Sequence, residues 1–231
     1  MAHLRPFRLL GGDAAVYEPR RVALALLCAI YGDAALEMDD LASVRSFSIS
    51  ERHLLSRMLA RGVNAPVTTS AGRLFDGVAS LIGMQQEVSF EGQAAMALEF
   101  AADLREGGAY PFGLTKDEGR RTEEQVAPSV LDWQPMVEAI LTDLRAGVEQ
   151  RTIAARFHNA LVDAIIAVAR SVGQPRVALT GGCFQNRLLT ERAADRLERA
   201  GFEVILHRLV PPNDGGISLG QVAVAAARLN G

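Results

Sequence analysis

Val177-Ala-Leu-Thr-Gly-Gly-Cys-Phe-Gln-Asn-Arg187 is the stretch from which the fold of this chain can be read. Alternating apolar residues end at Gly181-Gly182, the pattern of a half-buried strand. From Phe184 the period becomes helical and runs to Ala200, with Leu188, Leu189, Ala193 and Leu197 near one face. The spacing therefore predicts a strand, a tight glycine turn and a helix. Glycines there take positive φ without a Cβ penalty and let a ligand approach the backbone closely. The helix start adds the positive end of its dipole, about 0.3–1 kcal/mol for an anion at the surface. Such junctions also occur where the glycines only permit close packing, and the turn alone does not separate the two readings.

Reading outward, Gly201 closes the helix, Phe202-Glu-Val-Ile-Leu206 predicts a second strand, and Val210-Pro-Pro-Asn-Asp-Gly-Gly-Ile-Ser-Leu-Gly-Gln221 predicts a second polar glycine turn opening another helix. Two such strands run parallel, with their turns at one sheet edge, which brings Asn186 and Asp214 to one crevice.

Composition bounds the class. With 231 residues, 49% hydrophobic and 22% charged, the chain is expected to be globular, with one sizeable core or two small ones. A net charge of -3, from 24 Lys+Arg and 27 Asp+Glu, gives no bulk attraction to nucleic acid and weighs against a tRNA substrate. Cys28 and Cys183 lie far apart and no signal-peptide pattern opens the chain, so a reduced, cytoplasmic setting is expected. No apolar run is expected to approach a membrane span.

Residues 1 to 17, with Pro6, Gly11-Gly12 and Asp13 as breakers, read as an irregular lead-in. Pro19 starts a helix that carries Val22 to Ile30 and ends at Gly32. A second helix spans Ser50 to Ala60, with Ser50 as N-cap and Leu54, Leu55, Met58 and Leu59 inward. His53 on it reads as a solvated or packed histidine. In Thr68 to Gly83, Ser70 or Ala71-Gly72 breaks the chain, and Leu74, Phe75, Val78, Ala79, Leu81 and Ile82 form a helical apolar face that Gly83 stops. Asp76 falls off that stripe; from the residues alone it is a first-turn acid favoured by the helix dipole. Phe90 to Ala102 is an alanine-rich helix with Glu91 as a helix-start acid. Gly107 to Gly119 is turn-rich, and Val126 to Trp133 suggests one or two strands. Pro135 opens a helix through Leu144, and Gln150 to Val172 is the longest helical candidate. His158 on it reads as a packing histidine that bonds a neighbouring carbonyl.

Leu179-Thr-Gly-Gly-Cys-Phe-Gln-Asn-Arg-Leu-Leu189, together with Pro211-Pro-Asn-Asp-Gly-Gly-Ile-Ser-Leu-Gly-Gln221, resembles the C-terminal end of the HypF carbamoyltransferases of nickel-iron hydrogenase maturation. Pro6-Phe-Arg-Leu-Leu-Gly-Gly-Asp-Ala-Ala-Val-Tyr-Glu-Pro-Arg20 and Ser70-Ala-Gly-Arg-Leu-Phe-Asp76 are similar to further family segments, although Cys183 stands where the family more usually has valine. The resemblance implies an α/β fold: an actin- and Hsp70-like (RNase H-like) ATPase lobe, largely helical over 1–120 and α/β over 121–231. It covers nearly all of this chain but only the C-terminal lobe of a full-length member.

The resemblance also implies roles. Asp76 would hold ribose hydroxyls, and a carboxylate suits two vicinal donors. Gly72 and Gly92 would flank the nucleotide, Gly181, Gly182 and Asn186 would line the adenosine or its phosphate, and Asp214 would be a metal ligand. The cofactors would be ATP and a divalent metal (Mg, Fe or Zn) completed by ligands outside this chain. The family's metal-binding His-x-x-x-His pair is missing, since His3, His53, His158 and His207 never come four apart, and so is its glycine-rich phosphate loop. No residue is implied as catalytic, and the isolated chain is expected to be inactive. The implied partners are carbamoyl adenylate derived from carbamoyl phosphate, a HypE-like protein with an acceptor cysteine, and an N-terminal lobe in cis or trans. Two rival readings are a transferase to a small-molecule hydroxyl or tRNA, and a non-catalytic lobe that binds a nucleotide or partner.

Overall fold

A computed structural model describes residues 1–116 and 129–229. They divide into two compact units, Met1–Ala160 and Leu161–Gly231. The change from a mainly helical to an α/β portion expected at residue 120 falls in the undescribed segment, as do Val126 to Pro128 of the expected strand region.

The first unit begins with β1 (Ala2–Leu4), β2 (Phe7–Arg8), α1 (Ala14–Tyr17) and α2 (Pro19–Tyr31). A 3-10 turn (Gly32–Glu37), α3 (Ala42–Arg45), α4 (Ile49–Arg61), β3 (Val67–Thr68), α5 (Ala71–Leu81), α6 (Gln93–Ala101), β4 (Gly113–Lys116), β5 (Ser129–Asp132) and α7 (Gln134–Arg145) follow. The long α8 (Gln150–Val172) runs past the division.

The lead-in is not irregular. β1 pairs parallel with β5, Ala2 opposite Ser129, and β2 pairs antiparallel with β3. The strands are too short to register as period-2 runs, and their partners lie far along the chain. β4, antiparallel to β5, likewise lies within the stretch read as turns. Trp133 is fully buried beside this sheet: its indole N–H donates to the Arg5 carbonyl at 2.8 Å, and Phe7 meets it edge-on at 5.8 Å between ring centroids.

α4 starts one residue earlier than expected. Ser48, not Ser50, is its cap, in a reciprocal box with Glu51. Leu54 is 51% exposed, whereas Arg52 is buried. Arg52 donates to the Leu36 and Phe47 carbonyls and pairs with Asp39 at 2.7 Å, so its charge is taken inward by partners no helical period reveals. His53 is exposed, as expected.

The heart of the unit is the packing of α2 on α5. A Cβ at Gly77 would come within 2.6 Å of Leu26 Cδ1 and 3.2 Å of Val22 Cγ1, so the helices meet at a position only glycine fills without displacement. α5 is buried from Arg73 to Leu81 on every face, not along one stripe. Phe75 is locked edge-on against Phe157 of α8 at 4.8 Å and against the His158 ring at 5.4 Å. His158 donates from Nδ1 to the Ala154 carbonyl at 2.7 Å, the packing role read for it. By length and composition α8 could cross a membrane, contrary to the expectation of no such run, but 61% of its most apolar window is buried in the protein.

In the second unit, α8 leads to β6 (Arg176–Leu179), a 3-10 turn (Gly182–Gln185), α9 (Arg187–Arg199), β7 (Glu203–Leu206), a second 3-10 turn (Asp214–Gly216) and α10 (Ile217–Leu229). β6 and β7 pair in parallel, Val177 opposite Val204, as the strand-turn-helix-strand reading expects. Leu189, Ala193 and Leu197 form the buried face of α9. α10 buries no residue, and Leu209, Ile217, Leu219, Val222 and Val224 are exposed.

Candidate functional site

Each unit carries a share of the residues expected at a ligand site. In the second, β6 ends at Leu179 and the chain turns at Gly181, whose φ of 104° and ψ of 161° suit glycine alone. Its N–H donates to the Pro212 carbonyl at 2.7 Å, which ties the first glycine turn to the second. His207 Nε2 lies 3.0 Å from the Thr180 hydroxyl, which in turn approaches the same carbonyl. Gly182 does not take positive φ. It faces open space, with nothing within 4 Å of where a Cβ would stand, so of the two glycines only Gly181 is required by conformation.

The helix after this turn begins at Arg187, not Phe184, because a 3-10 turn intervenes. Asn186 is its N-cap: the side-chain oxygen accepts from the Leu189 N–H at 2.8 Å, and the residue is buried. The amide read as a ligand contact is committed at its oxygen to starting α9. Asp214 opens the second 3-10 turn as an exposed residue. Asn213 Oδ1 accepts from Gly215 N–H, and a Cβ at Gly216 would stand 3.0 Å from the Pro211 carbonyl. This turn is built from backbone and small caps, leaving the Asp214 carboxylate at the surface.

In the first unit, Ser70 caps α5 by accepting from the Arg73 N–H, and Gly72 lies in the first turn with ordinary helical backbone. Asp76 lies further along and is 2% exposed, so it is not a first-turn acid. Arg73 Nη1 stands 3.0 Å from Asp76 Oδ2. The pair is close enough for charge attraction but not aligned for a hydrogen bond: Oδ2 and Nη1 are both buried without hydrogen-bond partners. Arg73 Nη2 reaches instead to Glu91 Oε1 at 2.9 Å. Glu91 precedes Gly92, which sits at φ 87° as the residue from which α6 starts.

Burial pushes the Asp76 carboxyl up to about 7; Arg73 pulls it down, and the charge of Glu91 adds to the rise. One guanidinium therefore reaches both Asp76 and Glu91, the residue before Gly92. Arg73 and Glu91 are the residues sequence reasoning missed. The three-residue spacing of Arg73 and Asp76 on a helix was the available signal.

Among the described residues, no three of His, Cys, Asp and Glu come together as a metal cage. Asp214 alone does not fit a complete divalent-cation site, which needs several oxygen or nitrogen ligands.

One unit carries a parallel strand pair whose tied glycine turns open successive helices, the other a helical layer with a buried carboxylate, and the fold is ASKHA-type. Residues 1–221 match the family model described as "Carbamoyltransferase, Kae1-like Domain, second subdomain". Carbamoyltransferase HypF of Synechocystis sp. is 40% identical over 236 residues, covering 96% of this chain and 29% of that protein. Carbamoyltransferase HypF of Rhodobacter capsulatus is 38% identical over 234 residues, covering 99% of this chain and 28% of that protein. A crystal structure of full-length HypF in the phosphate- and nucleotide-bound form superposes with a TM-score of 0.84 at 33% identity, over all of this chain and 29% of that one. The chain belongs to the HypF carbamoyltransferase family and spans under a third of the length of these relatives.

Proposed function

We propose that this chain is the nucleotide-binding lobe of an ATP-dependent carbamoyltransferase that acts in the cytoplasm during nickel-iron hydrogenase maturation. The observation that supports this most is the buried Asp76 carboxylate, with Oδ2 lacking a hydrogen-bond donor, in a chain similar to a HypF solved with nucleotide bound. An orphaned buried acceptor costs free energy until a donor arrives, and a ribose hydroxyl is such a donor. Gly72 and Gly92 flank the nucleotide, and Gly181, Gly182 and Asn186 line the adenosine or its phosphate. Asp214 offers one carboxylate to a divalent ion (Mg, Fe or Zn) whose other ligands lie outside this chain.

The chemistry that suits such a lobe is acyl activation. Water hydrolyses carbamoyl phosphate to carbamate and inorganic phosphate, and a carbamate oxygen then attacks the α-phosphorus of ATP. The bond to pyrophosphate breaks, giving carbamoyl adenylate. The C-terminal cysteine thiolate of a HypE-like acceptor then attacks the carbamoyl carbon, and AMP leaves with the electron pair of the broken C–O bond. This lobe's residues bind and orient the adenylate, a task worth rate because position is fixed before reaction.

The test is carbamoyl phosphate-dependent ATP–pyrophosphate exchange by a full-length HypF carrying this sequence as its second subdomain. A charge-assisted bond of about 1.5–3 kcal/mol predicts that Asp76→Ala weakens apparent ATP affinity roughly ten- to a hundredfold. Unchanged affinity in a folded variant contradicts the reading. Supplying a thiol acceptor, a small hydroxyl acceptor and tRNA in parallel separates HypE-directed transfer from the other acceptors.

A further inference from the structure

We infer that Arg73 is a positioning residue for nucleotide recognition: it holds the Asp76 carboxylate charged and aimed, and couples it through Glu91 to the turn at Gly92. The inference rests on the nucleotide reading of Asp76 given above.

The geometry carries it. Arg73 is 7% exposed and Asp76 2%, so neither charge has water to support it. Arg73 spreads its fork over two carboxylates: Nη1 at 3.0 Å from Asp76 Oδ2, and Nη2 at 2.9 Å from Glu91 Oε1, whose side chain is 73% exposed. The Glu91 bridge fixes the guanidinium from the outside, while the Asp76 contact is short of hydrogen-bond alignment, leaving Oδ2 and Nη1 with unspent capacity side by side. A ribose hydroxyl both donates and accepts, so one hydroxyl satisfies both atoms. Arg73 thus compensates the carboxylate's charge without consuming the lone pair a ligand needs. Lysine would keep the charge but lose the fork that spans both acids.

α2 presents Val22, Ala23 and Leu26 to the neighbouring Gly77. α8 presents Phe157 and His158 to Phe75, with His158 held by the Ala154 carbonyl. Arg73 and Glu91 are the charges that act on the carboxyl, which burial has already pushed up to about 7. At neutral pH a small loss of support empties the charged form.

Two measurements on the 231-residue chain test this. Carboxyl-carbon NMR follows the Asp76 titration in wild type, Arg73→Gln and Arg73→Lys. The expected midpoint rises by about one pH unit in Arg73→Gln and returns most of the way in Arg73→Lys. A midpoint that Arg73→Gln does not move overturns the coupling, whatever happens with ligands.

Calorimetric titration with adenosine and with 2′,3′-dideoxyadenosine, from pH 6 to 9, reads the consequence. Arg73→Gln is expected to weaken adenosine binding about fivefold near pH 7 and to recover toward wild type by pH 9, where the carboxyl ionises unaided. A loss equal at every pH would make Arg73 merely structural, and tighter binding would make it an obstruction. Either result overturns the assignment. Failure of the underlying reading looks different: if Asp76→Asn leaves adenosine affinity unchanged, or wild type shows no preference for adenosine over the dideoxy compound, the ribose role falls even where the NMR coupling stands.

Discussion

The two units present their polar residues by opposite means. Around Asp76 the protein works by enclosure: α5 is buried on all sides, Gly77 admits α2 at near contact, and two charges sit together out of water. Around Gly181 and Asp214 it works by exposed backbone: tight turns, small caps and a Gly181–Pro212 bond, with the Gly182 face open and the Asp214 carboxylate at the surface. The enclosed half derives its chemistry from desolvation and is sensitive to packing. The open half derives its chemistry from conformation, and its apolar residues on α10 remain uncovered.

The largest break in this contrast is expected at Phe75. Phe75→Ala removes a fully buried ring wedged against Phe157 and His158 and should cost about 3–5 kcal/mol in urea unfolding. Val222→Ala on α10, already exposed, should change stability by less than about 0.5 kcal/mol. Equal losses at the two would erase the distinction.

Next comes pH. The Asp76 carboxyl, ordinarily near 3.8, stands near 7 in the folded chain, so the folded state holds the proton more tightly than the unfolded one. Its contribution to stability is fully present below pH 3.8 and is lost as pH rises through 7, with a slope of at most about 1.4 kcal/mol per pH unit between. Asp76→Asn should flatten stability against pH between 4 and 7 in the same unfolding series. A slope that persists in the variant would place the titrating group elsewhere.

A smaller effect sharpens the open half. Asn186→Ala should destabilise by about 1 kcal/mol through loss of the α9 cap, whereas Asn186→Asp, which caps equally well, should not. If Asn186→Asp keeps stability but loses nucleotide affinity, the amide serves ligand as well as helix; thermal unfolding and calorimetry on the same samples separate the two.

Much of the open half was legible in the sequence because it is local. The strand, glycine turn, helix and second strand follow one another within about thirty residues, and Gly201 and the Pro-Pro-Asn-Asp-Gly-Gly turn announce themselves. The helix start was displaced because Gly181-Gly182 drew the boundary forward, while the asparagine that caps α9 was read only as a ligand. Ser48 was missed although Ser48-x-x-Glu51 spells a capping box. The enclosed half was legible only as apolar period. That Asp76 lies inside, that Arg73 meets it and that Glu91 completes the bridge depend on α2, α6 and α8 closing around α5, contacts between segments far apart in the chain. β1 pairs with β5 across more than a hundred residues and left no local trace.

The most direct test is calorimetric titration of the 231-residue chain with ATP and Mg²⁺, repeated with Asp76→Ala. Binding in wild type that weakens roughly ten- to a hundredfold in a folded Asp76→Ala variant is the expected result, and would mean that the lobe carries a preformed share of the nucleotide site. Binding of equal strength in both proteins would contradict it, because the buried carboxylate would then have no part in holding the nucleotide.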